Sequence, residues 1–361
     1  MIEAPRSRIA VATLHRMTRA AGPQLAALLA AVIAGCAGSL PLPPPTLPSA
    51  TPHAGPATSA SATEGVATAG VAAEWRLLDD APFARLEMAV ASHRGRIWLA
   101  GGLAPQGDAL AEVDVFDPAS GTWSEGPALP APVHHAALVS DGERLVLVGG
   151  YLGSAFNRPT DIVLTLADGD DAWREGVALP EPRAAGAAAW DGSRIVYAGG
   201  MAEDVRREVY ALEGSTWEPI GQLAAAREHL AAASDGNGRT WLLGGRVGDL
   251  DSNLATVELI EGDAITEQPE LPTARGGAAA FFAPGVGACL TGGEAPDRAH
   301  TVVECIAADG TVAVLADLVQ PHHGHGTAVV DGVAYVLLGG PEPLLTAGTT
   351  VEALDLASLA P

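Results

Sequence analysis

Beyond residue 75, apolar positions fall into short runs bounded by Gly, Pro, Asp and Asn, not into stripes of helical period. One run recurs six times and ends each time in a Gly-Gly pair. The first is Ile97-Trp98-Leu99-Ala100-Gly101-Gly102; the others end at Gly149-Gly150, Gly199-Gly200, Gly244-Gly245, Gly292-Gly293 and Gly339-Gly340, at spacings of 45 to 50 residues. Two further landmarks keep this register. Trp75, Trp123, Trp173 and Trp217, with Ile265 and Val312 in the same place, each stand ten residues before Arg85, Val133, Arg183, Arg227, Arg275 and His322. A strand that begins Val113-Asp114-Val115-Phe116 has counterparts beginning at Val209, Val257, Val303 and Val351. The pattern predicts six units of four short strands, separated by turns such as Asp117-Pro118 and Asp141-Gly142. A single four-stranded sheet cannot bury both faces, so the units must stack around an axis.

A Gly-Gly pair closing strand two, a Trp in strand four and an Arg entering the next strand one together resemble the kelch repeat. The resemblance covers residues 75–361 and implies an all-β fold: a six-bladed kelch-type β-propeller with four antiparallel strands per blade. Two units lack the Trp, and the usual Tyr of strand three is mostly Phe, Leu or Ile. The glycines have a physical role. Strand two turns sharply near a crowded axis, where only Gly takes a positive φ and a close backbone approach without cost. Ring closure is also legible. Trp75-Arg76-Leu77-Leu78 aligns with a fourth strand, whereas the last unit stops after its third strand near Leu354-Asp355. The N-terminal strand is expected to complete the sixth blade and hide two sheet edges.

The first 73 residues read differently. Arg6, Arg8, Arg16 and Arg19 precede an apolar stretch from Leu25 to Ala34, too short to span a bilayer and typical of a secretion signal. Met17 offers a second start that would give a shorter signal. Ile33-Ala34-Gly35-Cys36 resembles the lipobox of bacterial lipoproteins, which implies cleavage before Cys36 and its acylation. Residues 36–73 are rich in Pro, Ala, Ser and Thr and read as an extended tether. The expected organisation is a signal peptide over 1–35, lipid-attached Cys36 with a tether over 36–73, and a propeller over 74–361. The implied location is exported, anchored by lipid to the bacterial cell envelope.

Composition narrows the function. The formal charge of −23 excludes a basic nucleic-acid-binding surface. Removal of residues 1–35 takes four arginines and only Glu3, so the mature chain is more acidic still. Cys289 and Cys305 fall on neighbouring strands of the fifth unit, and an exported location makes a disulfide between them the expectation.

Chemistry should sit where strands one begin and strands two end, because those ends share one face of the ring. If side chains alternate, two rings of positions converge there. The first ring is Arg85, Val133, Arg183, Arg227, Arg275 and His322. The second is Glu87, His135, Ala185, His229, Gly277 and Gly324. Arg85, Arg183, Arg227, Arg275 and His322 are the candidate ligand-binding residues at this mouth, suited to a carboxylate or another anion. Many kelch repeats carry Arg in this place, and the resemblance implies a structural pairing with acidic or carbonyl groups of neighbouring blades. His134, His135, His229, His322, His323 and His325 fall at the same end, and three imidazoles could hold zinc or copper. No Cys or carboxylate stands at ligand spacing in the chain, so neither a metal site nor a cofactor is expected. Motifs for a nucleophile elbow, a P-loop, a zinc protease helix or a dinucleotide fold are absent.

The sequence thus favours a binding or scaffold module, monomeric, that meets an envelope protein or anionic glycan at the channel mouth. It would reach the membrane through its anchor alone and take no nucleic acid. The alternative is an exported carbohydrate-active enzyme resembling sialic-acid mutarotases, with Glu87, His135 and His229 as catalytic groups.

Overall fold

The computed structural model describes residues 73–359. The expected signal peptide, Cys36 and all of the expected tether except Ala73 lie outside the described residues. Six four-stranded antiparallel sheets make up the domain. The first runs from axis to rim through Ala89–His93, Arg96–Ala100, Val113–Asp117 and Thr122–Glu125. The next four begin with innermost strands Ala137–Ser140, Ala187–Trp190, Ala231–Ser234 and Ala279–Ala283. The sixth consists of Gly326–Val330, Val333–Leu337 and Val351–Asp355, and its outer strand is Arg76–Leu77 from the other end of the domain. Arg76 pairs with Ala353 and Leu77 with Glu352. Innermost strands pack on their neighbours all the way round, the sixth against the first. The result is a closed six-bladed β-propeller.

The core is divided among the six blade interfaces. Between the fifth and sixth blades, Trp75, Phe281, Cys289 and Cys305 pack with Val336 and Leu354. Between the fourth and fifth, Leu243, Leu259 and Trp241 meet Ala288, Leu290 and Ile306. Neighbouring residues Ala288 and Cys289 therefore serve opposite interfaces, as strand alternation requires. Because both faces of each blade are covered, middle strands such as Gly287–Thr291 and Ile195–Ala198 are buried throughout. Cys289 lies opposite Cys305 in the ladder and is joined to it by a disulfide. Two tryptophans tie their blades to the one before: the Trp173 indole donates to the Pro127 carbonyl at 2.7 Å, and Trp217 to that of Val177 at 2.8 Å.

The Gly-Gly pairs connect each blade to the next. The Gly102 amide donates to the Val133 carbonyl at 2.8 Å, and Gly150, Gly200, Gly245 and Gly293 make the same bond one blade further on. Both residues of these pairs have positive φ. A Cβ on Gly101 would collide with the Val133 carbonyl. The sixth pair differs from expectation by one residue. Leu338, at φ 60°, takes the place of the first glycine, and Gly339 donates to the Arg85 carbonyl at 2.9 Å. The repeated bond, not the glycine pair, sets the register, and it closes the ring from the sixth blade to the first.

A second set of bonds lies on the axis. Glu87, His135, Ala185, His229, Gly277 and Gly324 occupy equivalent positions and all have φ between 51° and 63°. Each amide donates to the carbonyl of its counterpart in the preceding blade, at 2.7–3.1 Å, and the Glu87 amide completes the circuit by donating to Gly324.

Closure through the N-terminal strand yields a direct expectation. Deleting residues 74–83 removes the outer strand of the sixth blade and the buried Trp75 side chain, which packs edge-on against Phe281 with ring centroids 6.2 Å apart. Loss of Trp75 alone should cost about 3–5 kcal/mol. The truncated domain should melt at a clearly lower temperature by calorimetry; an unchanged midpoint would contradict this closure.

Candidate functional site

The two rings expected at the mouth separate in the structure. Arg183, Arg227 and Arg275 are fully buried, Arg85 is 3% exposed and His322 2%. None of them lines the mouth cavity. The cause is the positive φ two residues later, which breaks strand alternation and leaves the first ring pointing back into its own blade. There each member meets strand three. Arg85 pairs with Asp114 at 2.6 Å, Arg227 with Glu258, Arg275 with Glu304, and His322 Nε2 with Glu352 at 3.2 Å. Arg183 departs from this pattern because Tyr210 stands where the others have an acid. Its guanidinium lies over the Tyr210 ring and pairs instead with Glu181 and Glu208. In the second blade the ring position is Val133 and the strand-three position is Leu164, an apolar pair in place of a charged one. These arginines therefore brace blades, and an anion-binding ring is not formed.

The second ring does converge on the channel. Three large side chains, Glu87, His135 and His229, share the ring with Ala185, Gly277 and Gly324, which leave them room; a Cβ on Gly324 would strike the Glu87 carboxyl group. Ligand atoms of Glu87, His135 and His229 all lie within 4.8 Å of one another. His135 Nε2 is 3.4 Å from Glu87 Oε2, and the His135 and His229 rings meet edge to face at 4.8 Å. These three were the alternative catalytic group. They come from three different blades, which is why no ligand spacing shows along the chain.

Burial sets the charge states. It raises the Glu87 carboxyl to about 7, opposed by His323 and Arg246 and aided by Glu294. It lowers His135 to about 3, assisted by Arg246 and His323, and pushes His229 well below the usual imidazole range. Both imidazoles are thus neutral at ordinary pH. The His229 Nδ1 contacts Glu228, and Nε2 accepts from Arg246 Nη2 at 3.0 Å. Arg246 also donates to Glu228 at 3.0 Å and to Glu294 at 2.8 Å. His323 Nε2 donates to the Leu344 carbonyl at 2.6 Å. His322 and His325, expected at the same end, are buried within the blades, and His325 Nε2 lies 2.9 Å from Thr291 Oγ1.

Glu87, His135 and His229 form the floor of a cavity of about 710 Å³ that opens on the mouth face. Arg246, Glu228 and Glu294 complete its polar floor, and Tyr151, Phe156, Met201, Leu344 and Leu345 line its walls. Arg246, Glu228 and Glu294 stand off the alternate positions of strand one, so strand alternation does not point to them. A signal existed. The residue after each Gly-Gly pair bridges the residue before each second-ring position, as in Glu228 with Arg246, His134 with Tyr151 and Gly276 with Glu294.

Residues 84–130, which span the first blade, match a family model described as the Kelch motif. The domain is a six-bladed kelch-type β-propeller. No curated protein matches the chain in sequence. The kelch landmarks now have physical meanings: the arginine is braced against acids, the second glycine donates to the next blade, and Trp173 and Trp217 bond to the preceding one.

The bracing role makes a quantitative expectation. Arg227→Ala should destabilise the kelch domain by about 3–5 kcal/mol, because Glu258 is left buried without its partner. The double change Arg227→Val with Glu258→Leu copies the Val133–Leu164 pair and should recover most of that loss in denaturant unfolding. A double variant as unstable as the sum of the two single changes would refute the pairing.

Proposed function

We propose that this protein is an exported, lipid-anchored kelch module that binds a segment of another envelope protein at the channel mouth. The observation that carries the reading is the rim of the mouth cavity. Phe156, Leu344 and Leu345 are 48%, 66% and 53% exposed around one concavity, among few large apolar side chains that face solvent in the described residues. Exposed apolar side chains grouped around a cavity are characteristic of interaction sites. A kelch propeller suits such a scaffold role, since loops from several blades meet on one face. Charge favours the partner's chemistry. Glu87, Glu228 and Glu294 face a single guanidinium at the floor, so an apolar or basic segment fits better than an anionic one. That leaves the anionic glycan expected from the sequence without its arginine ring. The bond between Cys289 and Cys305 agrees with an oxidising, exported location, as does the lipobox-like Ile33-Ala34-Gly35-Cys36.

A second reading has one observation in its favour. The Glu87 carboxyl titrates near 7 and lies beside His135, which suits general acid–base chemistry on a saccharide.

Binding of defined peptide arrays made from envelope proteins, followed by anisotropy of the peptides that bind, tests the proposal. Apolar or basic peptides should bind, and Phe156→Ala with Leu345→Ala should weaken them at least ~10-fold, as loss of central anchors does. Peptide binding unchanged in that variant would overturn the reading. So would turnover of a saccharide, lost in Glu87→Gln, in a protein that binds no peptide.

A further inference from the structure

The geometry points to a divalent transition-metal site at the cavity floor, formed by Glu87, His135 and His229 and suited to zinc. The inference uses the same cavity as the proposed partner site but does not depend on that reading.

Four observations converge. The first is the donor set. Two imidazole nitrogens and one carboxylate oxygen, from three blades, lie within 4.8 Å of one another around a common point. Zinc takes these donors at about 2.0–2.2 Å, so small rotations of the three side chains would close the shell. The second is orientation. The His229 Nδ1 faces the Glu228 carboxylate, which fixes the tautomer that leaves Nε2 as the donor atom. The His135 Nδ1 meets the His134 Nδ1 instead, and its Nε2 faces Glu87. A carboxylate behind a ligating imidazole is the usual support around a bound metal.

The third is rigidity. All three residues sit on the hydrogen-bonded ring at φ 51–54°, a backbone conformation that L residues adopt at a cost. Glycine occupies two of the six equivalent positions, and the three potential ligands occupy strained ones. The fourth is charge. Three carboxyl groups, Glu87, Glu228 and Glu294, face one guanidinium, Arg246, and the His323 imidazole across the floor, and a dication would balance them. Arg246 Nη2 holds the His229 Nε2 position, but its Nε and Nη1 bonds to Glu228 and Glu294 do not need that contact. The guanidinium can release His229 and stay anchored. The remaining coordination position opens into the cavity, the arrangement of a site that binds a further ligand rather than of a sealed structural one.

The test is calorimetric titration of the full-length protein, freed of metal by chelation, with zinc alone. Binding of one equivalent with Kd below about 10 μM is expected, a range set by ordinary protein metal affinities. His229→Ala or Glu87→Ala should weaken it more than ~10-fold, and Glu228→Gln by ~10–100-fold, the range for supporting groups. His300→Ala, outside the cluster, should leave it unchanged. Because variants can lose structure, each is checked for the wild-type melting transition. Cobalt provides a second readout: wild type should show the visible bands of a low-symmetry site, absent in His135→Ala. No binding by wild type, or one-equivalent binding and cobalt bands that survive in folded His135→Ala and His229→Ala, would overturn the proposal.

Discussion

Six backbone hydrogen bonds around the axis hold this domain in register, and the remaining structure is arranged about them. The amides of Glu87, His135, Ala185, His229, Gly277 and Gly324 each donate to the preceding blade, and the circuit closes. Such a circuit requires the same left-handed backbone at every position, and four of the six are not glycine. A left-handed L residue costs roughly 1–2 kcal/mol. That cost is carried because closure satisfies amides and carbonyls that would otherwise be orphaned in a narrow channel. The second circuit, from each second glycine to the next blade, reinforces the first from the mouth side.

From this constraint follow both the braces and the site. The turn into the left-handed region ends strand alternation, so the residue two positions earlier points into its own blade. A long cation there needs an acid, and strand three supplies Asp114, Glu258, Glu304 and Glu352. The same turn aims the ring side chains at the axis, where Glu87, His135 and His229 meet beside three small ring members. Burial then keeps the imidazoles neutral and lifts the Glu87 carboxyl toward neutrality. Architecture and electrostatics thus share one origin.

The repeat itself was open to reading, since Gly-Gly, Trp and Arg recur in step, and the unfinished last unit announced that Trp75–Leu78 would close it. The arginines' partners were also present in the sequence. Val257-Glu258, Val303-Glu304 and Val351-Glu352 place an acid at one repeated position, and Leu164 replaces it where Val133 replaces the arginine. What the pattern could not convey was direction. Alternation placed Arg85 and Glu87 on one side, and only the φ of 53° at Glu87 separates them. Residues distant in the chain, such as Arg246 and Glu294, reach the floor through loops whose path depends on packing between blades. The one-residue offset at Leu338 escaped for a similar reason: a hydrogen bond defined the position, and a leucine held it.

Native-state hydrogen exchange of the six ring amides tests the central claim most directly. If the circuit is the element on which the propeller depends, all six should exchange only through global unfolding, with equal free energies matching that from denaturant melts. Exchange of any one of them by local opening, while amides in middle strands such as Arg96–Ala100 and Val333–Leu337 stay protected, would contradict the account.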